Sequence, residues 1–187
     1  MNFPKKTMTQ QHPHRTIIQF VLLILLTWML AACDLLPPME PASDILAPTA
    51  PQLPDAPSET AVVTEVIDGD TINVLIDGRS YRVRYIGIDT PERDKACYSE
   101  ATEANAAFVE GQTVRLVQDT NNTDRYDRLL RYVYVDEVLV NAELVAGGWA
   151  ESKRYPPDDA LFDYFEELES TAAEQQLGCY PTGVFSR

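Results

Sequence analysis

The sequence predicts an α+β domain: a five-stranded antiparallel barrel of the OB type carrying about three helices. Three observations lead there. Five runs of β-branched and aromatic residues of strand length lie between Ala61 and Val135. The first three are separated by the dipeptides Asp68-Gly69 and Asp77-Gly78, which are strong hairpin signals. Helical periodicity interrupts the strands once and follows them twice. An OB barrel presents strand faces and loops to oligonucleotides, but it serves other ligands as well, so the fold alone assigns no function.

In chain order, Ala61 to Ile67, Thr71 to Ile76 and Tyr81 to Ile86 are expected as a three-stranded meander. Tyr98 to Glu110 is expected as a helix, with Ala101, Ala104, Ala107 and Phe108 at helical spacing and Gly111 as its stop. Val114 to Val117 and Leu129 to Val135 supply the last two strands. Asn141 to Gly147 reads as a short helix with Asn141 as N-cap. Pro156-Pro157-Asp158 introduces a final helix with Leu161, Phe162, Phe165 and Leu168 on one face.

The N-terminal region is read as processing and tethering sequence. Lys5, Lys6 and Arg15 precede an apolar run from Ile17 to Ala32, which ends in Leu30-Ala31-Ala32-Cys33. Its sixteen residues fall short of the ~20 that cross a bilayer. Residues 1–32 are therefore expected as a signal peptide. Small residues before a cysteine resemble a bacterial lipobox, with Cys33 lipidated, and an uncleaved anchor is the alternative. Pro, Ala, Ser and acidic residues dominate Pro37 to Thr60, so residues 33–60 are expected as an unstructured stalk on an exported, membrane-anchored lipoprotein. Residues 61–187 form the folded domain, and a monomer is expected. Cys97 and Cys179 remain: in an oxidising compartment an even pair is a disulfide candidate, against two separate buried thiols.

The charge balance narrows the chemistry. Formal net charge is −14, and removal of Lys5, Lys6 and Arg15 makes it −17. An acidic protein is repelled by nucleic acid at long range, so any phosphate binding has to come from a local basic cluster. Arg79, Arg82, Arg84, Arg125, Arg128 and Arg131 are the candidates, with Arg82 and Arg84 on one strand face by period two. Binding is expected to be weak and strongly salt-dependent.

The carboxylates complete the site. Asp70 follows the first hairpin turn, and Asp89 is expected at the end of the third strand, where both can meet at one end of the sheet. Hard carboxylate oxygens suit Ca²⁺, while no Cys/His spacing suits zinc. Asp77-Gly78 repeats the turn dipeptide without any flanking site residues. Taken singly, each motif also has a plain reading as a turn, a helix cap or a solvated strand charge.

In combination they form a pattern. Asp68-Gly69-Asp70-Thr71, Arg84-x4-Asp89-Thr90-Pro91-Glu92, Asp124-Arg125-Tyr126-x-Arg128 and Val140-Asn141-Ala142-Glu143-Leu144-Val145 resemble, in order and spacing, the staphylococcal nuclease (thermonuclease) family from about Val62 to Leu177. The resemblance implies Ca²⁺ held by the side chains of Asp70 and Asp89 and the carbonyl of Thr90, with Asp68 and Glu92 touching its waters. It implies Glu92 as general base, Arg84 and Arg128 on the phosphate, and Tyr155 against the nucleotide. It further implies calcium-dependent hydrolysis of DNA and RNA with little sequence preference, leaving 3′-phosphates. The alternatives are a catalytically weak or inactive OB-fold lipoprotein that binds nucleic acid or protein, and a purely structural envelope lipoprotein. Two departures stand out. Asp127 occupies a position that is usually glycine, where it would pair with an arginine, repel substrate or face solvent. Lys153-Arg154-Tyr155 replaces a run holding another tyrosine, so base preference is not carried over.

Overall fold

The computed structural model describes residues 51, 53 and 55–185. Strand β1 (Ser58–Asp68) leads through the Gly69-Asp70 corner into β2 (Thr71–Ile76), which turns at Asp77-Gly78 into β3 (Arg79–Tyr85). Asp77 and Gly78 both have positive φ, 47° and 79°, as a tight primed turn requires. Helix α1 (Tyr98–Val109) is followed by β5 (Thr113–Val117) and β6 (Leu129–Val135). Two-residue strands β4 (Ile88–Asp89), β7 (Val138–Leu139) and β8 (Glu151–Ser152), with helices α2 (Val140–Ala146) and α3 (Phe162–Glu174), complete the domain.

The sheet runs β3-β2-β1-β5-β6-β7, and β3 also pairs with β6, which closes a five-stranded barrel. That closing pair is parallel, with Val83 beside Leu129, so the barrel is mixed rather than wholly antiparallel. β1 serves both neighbours along its length. Its register to β2 shifts between Val63 and Glu65 and again between Val66 and Asp68, and such bulges bend a strand around a small barrel. Ile72, Val74, Val83, Tyr85, Leu116 and Val133 fill the interior, each nearly inaccessible to solvent.

Several expected boundaries move. β1 begins at Ser58, pairing Ser58–Thr60 with Val117–Arg115, so three residues assigned to the stalk belong to the sheet. The third strand ends at Tyr85, and Asp89 sits instead on β4, across from Glu151 on β8. Asn141 is not an N-cap: Leu139 holds that place, and Asn141 lies wholly buried within α2. Its amide donates to the Ile86 carbonyl and accepts from the Val133 N–H, both at 2.9 Å. Cys97 and Cys179 form a disulfide that ties the start of α1 to the segment after α3. Residues 1–50, with Cys33 and the apolar run, lie outside the described residues, among which no helix is long and apolar enough to cross a membrane.

Candidate active site

The site is assembled at the corner after β1. Asp70 N–H donates to Asp68 Oδ1 at 3.1 Å, turning the chain back sharply. Gly69 lies flush against Thr90: a Cβ added there would stand 2.8 Å from the Thr90 side chain. That close approach lets Asp70 Oδ2 accept from both the N–H and the Oγ1 of Thr90, each at 2.9 Å. Asn105, wholly buried on α1, donates to the Asp68 carbonyl at 2.9 Å and accepts from Tyr85 Oη at 2.9 Å. The turn that carries two expected acidic residues is thus held by a helix and a barrel strand together.

Arg84, on β3, links the two remaining halves of the carboxylate group. Nη1 lies 3.2 Å from Asp70 Oδ2, Nη2 lies 2.9 Å from Asp89 Oδ1, and Nη1 also donates to the Tyr85 carbonyl at 3.0 Å. Only the rigid guanidinium fork reaches all three acceptors at once. Asp89 Oδ2 faces Lys153 at 3.9 Å. Burial pushes the Asp89 carboxyl above its ordinary range despite Arg84, and the Asp70 and Glu92 charges push the same way. Burial and the adjacent Asp70 charge likewise raise Asp68. Burial and the neighbouring carboxylate charges thus disfavour the ionised forms of Asp68 and Asp89.

Arg128 stands on the other wall of the cleft, at the end of a tight loop. Asp124 anchors it: Oδ2 accepts from Nε and from Nη2 at 2.7 Å each, and Oδ1 accepts from the backbone N–H groups of Tyr126 and Arg128. Asp127 lies in the same loop. Its φ is +60°, the left-handed region that favours glycine and that aspartate tolerates. Its side chain is exposed, and the Arg128 guanidinium pairs with Asp124 instead. Asp127 thus takes a backbone shape that glycine adopts without strain, while its side chain faces solvent.

A cleft of about 470 Å³ joins these parts, lined by Arg84, Arg128, Asp124, Tyr126, Tyr155 and Asp158 among others. Tyr155 is 46% exposed beside it, available for stacking. Glu92 is exposed in the loop after Thr90. Arg131 leaves the expected basic cluster: it is buried, held by Glu59 at 2.8 Å and by Asn122. Arg154 pairs with Asp159 at 2.8 Å.

Sequence reasoning did not find Asn105, Asn141, Asp158 or Glu169 in their positioning roles. Asp158 accepts from the N–H groups of Thr120 and Asn121 and from the Asn121 amide, fastening the loop before Arg128 to the Tyr155 segment. Glu169 on α3 accepts from the Ser152 N–H, steadying β8 and through it Asp89 on β4. A signal existed for the asparagines: each interrupts an apolar helical face with a residue that helices disfavour. Among the described residues, no three His, Cys, Asp or Glu side chains converge on one metal position.

The structure is thus an OB-type barrel presenting a guanidinium between two carboxylates, with a second arginine across the cleft. The family model described as "Staphylococcal nuclease homologue" matches residues 82–180, and the chain belongs to that family. The chain is 36% identical over 132 residues to a thermonuclease of Staphylococcus intermedius, covering 67% of this chain and 79% of the relative. It is 36% identical over 130 residues to a thermonuclease of Staphylococcus hyicus, covering 66% and 75%. A micrococcal nuclease of Shigella flexneri is 33% identical over 130 residues, covering 63% and 71%.

Proposed function

We propose that this protein is a calcium-dependent nuclease that hydrolyses DNA and RNA phosphodiesters with little sequence preference and leaves 3′-phosphates. The observation that carries the reading is the Arg84 fork bridging Asp70 and Asp89 across the cleft from Arg128. Arg84 and Arg128 grip the non-bridging oxygens and stabilise the charge that grows on them as water attacks. The Glu92 carboxylate accepts a proton from that water, and its exposed position leaves it open to solvent. Tyr155 stacks on a neighbouring base.

The donor set fits the proposed cation. Asp70, Asp89 and the Thr90 carbonyl would hold Ca²⁺ with waters completing the shell, because Ca²⁺ takes oxygen ligands and does not demand a cage of side chains. Bound there, it would neutralise phosphate charge and act as a Lewis acid. Asp68 lies next to this group, fixed by its contact with the Asp70 N–H.

The protein would work outside the cytoplasm, tethered through lipidated Cys33. The Cys97–Cys179 disulfide supports an oxidising compartment. Labelled palmitate should mark the protein, and Cys33→Ser should abolish the label. Activity is tested on the full chain with Ca²⁺ and with EGTA, beside Glu92→Gln and Arg128→Ala. Cleavage that requires Ca²⁺ and falls by roughly 10³–10⁵ with Arg128→Ala is expected, from the effects of arginines in other phosphoryl transfers. A folded wild-type protein that binds but does not cut, in ample Ca²⁺ at low salt, would make it a binding module instead.

A further inference from the structure

A second groove, of about 600 Å³, adjoins the cleft and is lined by Asn73, Ser80, Tyr81, Arg82, Tyr126 and Arg128. It shares Tyr126 and Arg128 with the cleft but none of the carboxylate-bearing residues. Strand pairing explains why it exists. β6 joins β3 only from Val83 onward, so the Arg79–Arg82 stretch lacks β6 as a neighbour. The parallel register of Val83 with Leu129 places Arg82 and Arg128 at adjoining positions, one residue earlier on each chain. Alternation along β3 also places Arg82 on the same face as Arg84, about 6.6 Å further along.

Arg82 is anchored but not neutralised. Its Nε donates to Asn73 Oδ1 at 3.3 Å across the β2–β3 pair, and the Asn73 amide is held by Glu65 at 2.7 Å. Among the described residues no carboxylate is ion-paired with Arg82, whereas Arg84 has two and Arg128, Arg131 and Arg154 have one each. A positioned guanidinium without a carboxylate, next to a second arginine in a protein of net charge −14, is suited to an anion. Tyr126, 63% exposed, lines the same groove and carries the Arg125 and Arg128 guanidinium groups against its ring, at 4.7 and 5.5 Å. Cationic groups along a groove with an exposed tyrosine among them are elements that hold a nucleic-acid strand without reading its sequence.

We infer that this groove is a subsite for the nucleotide next to the scissile phosphate, with Arg82 on the adjoining phosphate and the exposed edge of Tyr126 beside it. The inference rests on the nuclease reading above, and it makes Arg82 a determinant of how firmly a chain of several nucleotides is held. The subsite contributes to holding a chain and not to bond cleavage.

The test uses the full chain carrying Glu92→Gln, so that bound strands persist in Ca²⁺. Fluorescein-labelled oligothymidylate of about eight nucleotides, within the span an OB barrel covers, is compared with a dinucleoside monophosphate, which has one phosphate. Adding Arg82→Glu should weaken the longer ligand by about tenfold more than the short one, and should flatten its log–log salt dependence by about 0.7, the share of one single-strand phosphate contact. Arg82→Lys should restore most of the binding. If Arg82→Glu melts early, Arg82→Gln tests the same contact, with a smaller loss expected. Equal losses on both ligands, or none, would overturn the subsite while leaving the nuclease reading in place. If the parent protein binds neither ligand, the nuclease reading falls and takes the subsite with it.

Discussion

Replacing Asn141 by alanine tests whether the site is built on a buried polar clamp. Asn141 is inaccessible to solvent, and its one amide joins three elements: α2, the turn after β3, and β6. The substitution strands two backbone groups, the Val133 N–H and the Ile86 carbonyl, each of which now makes a 2.9 Å bond to it. Leaving a buried donor or acceptor unsatisfied costs about 1–3 kcal/mol, so the pair costs about 2–6 kcal/mol. A water entering the vacated space would bring the loss to the lower end of that range. Against a whole-domain stability of about 5–15 kcal/mol this is a large fraction. The effect also reaches the chemistry, because Ile86 precedes Gly87, Ile88 and Asp89. Gly87 has no room to adapt: its φ is +78° and a Cβ there would lie 2.7 Å from the Phe165 ring. Urea unfolding of the full chain, with the domain transition fitted for midpoint and slope, gives the number directly. A loss below about 1 kcal/mol with an unchanged slope would refute the assignment of Asn141 as a clamp.

Two further outcomes follow from the geometry. Burial would raise the Asp124 carboxyl, but hydrogen bonds from the Arg128 side chain and from the Arg128 and Tyr126 N–H groups outweigh it and hold Asp124 below its ordinary 3.8. A depressed acid stabilises the fold above its unfolded value, and that contribution disappears as pH falls through the folded value. Acid unfolding curves should therefore show a shallower loss below about pH 4 in Asp124→Asn than in wild type, and parallel curves would count against it. Reducing the Cys97–Cys179 bond, which spans 82 residues, should lower stability by about 2–4 kcal/mol. Calorimetry with and without reductant measures this, and Cys97→Ala with Cys179→Ala should match the reduced wild type.

Much of the candidate site was legible because the residues proposed for it lie in short local runs. Asp68-Gly69-Asp70 and Asp89-Thr90 are short runs whose turns, carboxylates and small residues announce themselves. The long strands and helices were legible through periodicity, within a few residues at most boundaries. The two-residue strands β4, β7 and β8 were not, since two residues carry no period, and β4 with β8 is what fixes Asp89. The stalk boundary was misplaced because Ser58-Glu59-Thr60 is polar. Those residues join the sheet through backbone pairing and through Glu59's contact with Arg131, which no local propensity reveals. Arg131 shows the same limit from the other side: six arginines looked alike in the chain, and only the tertiary contacts separated Arg131, held by Glu59 and Asn122, from Arg82, Arg84, Arg125 and Arg128, which line the clefts.

By itself the sequence determined the barrel class, the family pattern and the identities of the carboxylates and arginines. These depend on residue type, spacing and alternation, which are properties of short stretches. Tertiary structure decided which groups meet: Asp70 with Thr90 through the bare face of Gly69, Arg84 between two acids, and Arg82 beside Arg128 across a parallel pair. It also settled that Asp127 faces solvent in a left-handed backbone. Such encounters depend on barrel closure and register, where residues distant along the chain become neighbours, and closure is a cooperative outcome of the whole core.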